Sequence, residues 1–110
     1  MNNTTPEAAR DRVRAVLEDR RDELVEVSHA IHARPETAFE EHFAVERLGD
    51  ELSKRGLEVR GGICDLPTAF SAQAGSGPLV VTICAEYDAL PGVGHACGHN
   101  IIAASSLGAA

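Results

Sequence analysis

Between Glu86 and Asn100 the chain carries two carboxylates (Glu86, Asp88), two imidazoles (His95, His99) and a thiol (Cys97), directly after its most apolar stretch, Leu79 to Ala85. Carboxylate, imidazole and thiolate are the donors that a divalent transition metal takes, zinc above all. Cys97 and His99 are two residues apart, so in an extended or turning loop both side chains can face one ion. His95 is a third donor or a structural histidine bonded to its own loop. Glu86 and Asp88 are ligands or carboxylates that orient ligands. Cys97 can alternatively be a small buried hydrophobe. A thiol beside imidazoles is also the material of a cysteine nucleophile with a histidine base.

The other reactive side chains carry less. Cys64 and Cys84 read as core or loop cysteines, Cys84 because it lies inside the apolar stretch. His29 and His32 share a helical face and His42 lies on a second helix, all three as packing or surface groups. Gly92, Gly94 and Gly98 do not fit the dinucleotide fingerprint, and no Lys-Ser/Thr follows them, which disfavours nucleotides. Ten Lys and Arg against seventeen Asp and Glu give a formal charge of −7. That balance argues against nucleic acid, because phosphate binding needs clustered cations. Met1 to Val16 is polar and unlike a secretion signal, and no apolar run is long enough to span a bilayer. Three cysteines without a pairing pattern point to a reducing compartment, the cytoplasm.

The elements that must position the loop follow from periodicity. Val13, Val16, Leu17, Leu24, Val27 and Ile31 recur mostly at spacings of three and four, predicting one long amphipathic helix over Glu7 to Ala33, ended by Pro35. Thr37 to Glu40 has the form of a capping box for a second helix, striped by Val45, Leu48 and Leu52 and stopped by Gly56. Leu57 to Arg60 predicts a short strand broken by Gly61-Gly62. Thr68 to Ala74, with Phe70, Ala72 and Ala74 on one face, predicts a hairpin with Leu79 to Ala85 through the Gly75 to Pro78 turn. Leu79 to Ala85, apolar on both faces, is the expected inner strand. A last helix of small residues starts after Asn100, its expected cap. The class is therefore α/β: two helices, a partial mixed sheet and the start of a helix, with the loop at the sheet's carboxyl end, where ligands gather.

Two motifs give this pattern a family resemblance. Ala85 to Pro91 followed by Gly94-His95-Ala96-Cys97-Gly98-His99-Asn100 resembles the site motif of the aminoacylase and hippurate-hydrolase type of metallopeptidase and amidohydrolase. Ile31 to Glu41 resembles the family's N-terminal signature. The resemblance implies Cys97 and His99 as metal ligands, the thiolate suited to bridging two ions. It implies Asp88 as the catalytic-site carboxylate that orients the ligand shell. It also implies amide hydrolysis by a metal-activated water, with two divalent ions (zinc, manganese, nickel or cobalt) in the complete enzyme. The substrate would be a small peptide or an N-acyl or aminobenzoyl amino acid, and the full-length protein a homo-oligomer. Glu86 and Asn100 stand where many members have Asp, which suits the aminobenzoyl-glutamate hydrolase-like and dipeptidase-like subgroup. The family's general-base glutamate and later histidine ligands lie downstream of these motifs. Residues 1–110 are then expected to be the N-terminal portion of a single catalytic domain, inactive alone. The contrasting expectation is a small stand-alone metal-binding or metal-sensing protein completed by a partner.

Overall fold

The computed structural model describes residues 4–110, and helices dominate its first half. Thr5 opens α1 (Pro6–Asp19) by accepting from the Ala8 amide at 3.2 Å, and Pro6 fills the first turn, where its missing N–H costs nothing. The helix ends at Arg20, and α2 (Arg21–His32) starts immediately beyond it. The predicted single helix is therefore two. Arg20, at φ −98° and ψ 3°, leaves the helical region while Arg20 N–Val16 O and Leu24 N–Arg20 O, at 3.1 and 3.0 Å, carry the ladder on either side. No glycine or proline marks this kink. Beyond it α1 buries no residue: Val13, Val16 and Leu17, expected in the core, stay 57%, 46% and 38% exposed.

The α2 stripe does reach the core, with Val27 and Ile31 essentially fully buried. The next helix, α3 (His42–Lys54), starts later than the predicted capping box allows, so Glu40 lies outside it and pairs with His42 Nε2 at 3.2 Å instead. The first-turn amides of α3 are satisfied by Glu36: Phe43 N donates to Oε2 and Ala44 N to Oε1, both at 2.9 Å. At the other end the expected glycine stop is present. Gly56 sits at φ +83°, with Gly56 N donating to Ser53 O at 3.0 Å and Leu57 N to Leu52 O at 3.2 Å, the paired bonds of a Schellman cap.

The sheet differs from expectation in its pairing. Strand β1 (Glu58–Gly61) pairs antiparallel with β2 (Phe70–Gln73), in the register Val59 to Ala72 and Gly61 to Phe70. Gly62, at φ +67°, turns the chain out of β1 and donates to Ala69 O at 2.8 Å, closing the connection through a 3₁₀ turn at Ile63–Asp65. Val59, Phe70 and Ala72 pack on the core, as the alternation predicted for the second strand. Leu79 to Ala85 forms no strand among the described residues. Leu79, Val80 and Val81 are 82%, 77% and 78% exposed. A segment apolar on both faces needs cover on each, and among the described residues Leu79 to Val81 has none.

The closing helix, α4 (His99–Ala109), lies mainly against α2. Its cap is Gly98, at φ +78°, so Asn100 falls inside the first turn rather than capping it. The Asn100 side chain is buried and donates to Ser28 on α2, to Oγ at 3.0 Å and to the carbonyl at 3.4 Å. Ala103 and Leu107 join Val27, Ile31, Ala44, Leu48 and Leu52 in one apolar core. The α/β class holds, with the loop from Glu86 to Gly98 feeding directly into α4. Among the described residues no helix is long and apolar enough to cross a membrane.

Candidate functional site

The loop begins with a three-residue alternation. In extended backbone, successive side chains point to opposite sides. Tyr87 takes the inner side: it stacks on Phe70 with ring centroids 6.0 Å apart, and its hydroxyl donates to the Thr68 carbonyl. Thr68 in turn donates from Oγ1 to the buried Glu41 at 2.5 Å. Burial, with the Glu41 charge adding to it, pushes the Tyr87 phenol up to about 12. Glu86 and Asp88 are left on the opposite side, and both meet His99. Asp88 Oδ1 lies 2.8 Å from His99 Nδ1, and Glu86 Oε1 lies 4.0 Å from His99 Nε2. A carboxylate only accepts, so the short contact puts a proton on Nδ1, and in the neutral ring Nε2 then carries the lone pair.

Further along, Ala89 is tied to the α2–α3 connection. Its amide donates to the Glu36 carbonyl at 2.7 Å, and Thr37 and Ala89 form a parallel bridge. Leu90 and Gly94 then close on each other, N to O at 3.0 and 3.1 Å, with Gly92 and Gly94 at φ +70° and +89°. Side chains cannot easily take such backbone, which accounts for two of the loop glycines. His99 follows as the first residue of α4, fixed by the neighbouring anchor of Asn100 on Ser28.

Of the predicted site residues, the structure brings Asp88 and His99 into contact and sets Glu86 at their margin. Cys97 is exposed, which removes its reading as a buried hydrophobe. Cys84 and Cys64 are exposed too, so neither is a core cysteine. His95 has both ring nitrogens buried without a hydrogen-bond partner, and its ring centroid lies 6.1 Å from that of the exposed His32. Burial lowers its pKa, and His32 and His99 lower it further, while Asp88 and the Ile31 backbone act the other way. Among the described residues no group of three or more His, Cys, Asp or Glu side chains converges to hold a metal ion. The donor types suit zinc, and what is assembled is an imidazole with its supporting carboxylate. The supports themselves, Glu36, Glu41, Thr68 and Ser28, were not singled out from the sequence. Glu36 and Glu41 had a signal there, their places in the N-terminal signature.

Sequence comparison agrees with the motifs. A p-aminobenzoyl-glutamate hydrolase protein of Escherichia coli K12 is 32% identical over 111 residues, taking in 86% of this chain and 23% of that protein. Human Xaa-Arg dipeptidase is 36% identical over 107 residues, 86% of this chain and 24% of its own length. The IAA-amino acid hydrolase ILR1-like 6 of Arabidopsis thaliana is 35% identical over 102 residues, 79% of this chain and 22% of its own. The chain belongs to the amidohydrolase family of these proteins. No family model matches it. Within this amidohydrolase family the chain spans about a quarter of the length of the curated relatives it matches.

Proposed function

We propose that these residues form part of a divalent-metal centre for hydrolysing the amide bond of a small peptide or an N-acyl amino acid, within a longer protein. The observation that carries the reading is the His99–Asp88 pair, with Nδ1 and Oδ1 at 2.8 Å. It holds the ring in the tautomer whose Nε2 can bind a metal, and a carboxylate on the far nitrogen raises the basicity of such a ligand. Cys97 supplies the second donor, exposed and two residues upstream. Glu86 is a further carboxylate at the margin. When bound, a divalent ion supplies Lewis-acid polarisation of a carbonyl and lowers the pKa of water.

Cys97 and His99 are the ligands in this reading, and Asp88 keeps the proton on Nδ1. The remaining donors come from outside these residues, in keeping with the absence of a convergent set of three among the described ones. The names of the relatives, an aminobenzoyl-glutamate hydrolase and an Xaa-Arg dipeptidase, support the substrate class. We take the complete protein as a cytoplasmic homo-oligomer with two ions per site, of zinc, manganese, nickel or cobalt, and the chain alone as inactive. The incomplete donor set also supports a second reading, a small metal-binding protein that a partner completes.

Cobalt(II) titration of the metal-free chain tests the site. The expected result is a thiolate-to-cobalt absorption band lost in Cys97→Ala, and a weakened cobalt complex in His99→Ala, with Cys64→Ala and Cys84→Ala unchanged. Persistence of the band in Cys97→Ala, or its absence from the full-length protein, would overturn the assignment. Cobalt-dependent dimerisation of the chain would favour the partner-completed reading.

A further inference from the structure

We infer that Glu36 is the positioning residue of this site: it ties the first turn of α3 to Ala89 and so fixes where Asp88 meets His99. The consequence for metal affinity rests on the proposed function, while the geometry does not.

The first amides of a helix have no partner within it, and an anion placed there gains from the helix dipole as well. Glu36 meets this need from outside the turn that would ordinarily supply a cap, since Glu41 occupies the cap position but its side chain bonds to no amide of the helix. Both carboxylate oxygens are used, Oε2 by Phe43 N and Oε1 by Ala44 N at 2.9 Å each. A side chain held at both oxygens cannot rotate, so its backbone is held as well. That backbone carbonyl accepts from Ala89 N at 2.7 Å, and the Thr37–Ala89 bridge extends the contact. Ala89 is 3% exposed, and the residue before it is Asp88, 2.8 Å from His99. The link therefore runs from α3 through one carboxylate to the carboxylate that sets the imidazole.

Any substitution at position 36 keeps the carbonyl, so the side chain acts only through the placement it imposes. Glu36→Gln is the discriminating change. It is isosteric, but one oxygen becomes an NH2 that faces an N–H, losing one bond and the charge.

The experiment compares unmodified chain, Glu36→Gln and, as a control, Val59→Ala, which loosens the β1 side of the core. Three quantities are read: the His99 tautomer by nitrogen-15 NMR without metal, the exchange rate of the Ala89 amide, and cobalt(II) affinity. In Glu36→Gln the Nδ1–H preference should weaken, Ala89 exchange should speed up, and cobalt affinity should fall about tenfold, the scale of a lost outer-shell partner. Val59→Ala should lower the melting temperature and leave all three close to the unmodified values. If Glu36→Gln only lowers the melting temperature, as the control does, Glu36 is a helix cap and the inference fails. If the full-length protein binds no cobalt, the metal reading fails, while the tautomer and Ala89 exchange still decide the role of Glu36. Should Glu36→Gln not fold, Glu36→Asp, whose two acceptors sit one methylene short, takes the same readouts.

Discussion

Ionisation of Tyr87 measures whether the alternation of Glu86, Tyr87 and Asp88 is anchored as described. It is the only tyrosine in a chain without tryptophan, so phenolate absorbance reports it alone. The ordinary phenol value is 10.0; in the folded protein burial, and then the Glu41 charge, push it up to about 12. The sign follows from linkage. The folded state favours the neutral phenol, so this contribution is intact below pH 10 and is lost as pH rises from 10 to about 12. A tenfold change in proton affinity is worth about 1.4 kcal/mol, which caps the contribution near ~3 kcal/mol, and partial contact with water reduces it. The assay is a spectrophotometric pH titration with far-ultraviolet circular dichroism followed in parallel, repeated in urea. Glu41→Gln removes the second cause and should lower the folded midpoint without bringing it to the unfolded value, because burial remains. Helix lost together with phenol ionisation would report the same linkage through unfolding. A folded chain titrating at the same pH as the urea-unfolded chain would refute the anchoring, and with it the assignment of Glu86 and Asp88 to one side.

Asp88→Asn keeps an oxygen that can accept from Nδ1–H but drops the charge, so the His99 tautomer should persist while cobalt affinity falls about tenfold, read by absorbance titration. Asn100→Ala removes the buried side chain that donates to Ser28, and should cost about 1–2 kcal/mol in urea denaturation; an unchanged midpoint would show the α2–α4 contact to be carried by Ala103 and Leu107 alone. The exposed run at Leu79 to Ile83 should make the chain associate as concentration rises, and Val81→Lys should weaken that association; sedimentation showing a monomer throughout would contradict it.

The parts of the fold legible in the sequence are those fixed by local chemistry. Gly56 stops α3 because only its conformation lets Leu57 reach back to Leu52, and Phe70 and Ala72 face the core because strand alternation leaves no other choice. The misread parts were settled by partners outside the local pattern. Thr37 and Glu40 have the form of a capping box, but the helix begins at His42 and a carboxylate already bonded to its amides, Glu36, takes the role. Leu79 to Ala85 has the composition of an inner strand, yet composition does not supply the layers that would cover its two faces, and Leu79, Val80 and Val81 stay exposed. At the site, the two motifs located Asp88 and His99. The Tyr87–Thr68–Glu41 chain was invisible, because a surface-patterned glutamate and a lone threonine give no sign that they meet indoors.

Both ends of the loop hang from one stretch of chain. Ser28 holds Asn100 beside His99, and Glu36 holds Ala89 beside Asp88. Anyone wishing to transplant this chemistry onto another scaffold should therefore not cut out residues 86–100 alone. The portable piece includes α2 and the turn after it, through to the amides of Phe43 and Ala44. A graft lacking that piece would carry the right letters with nothing to hold the aspartate and the histidine at bonding distance.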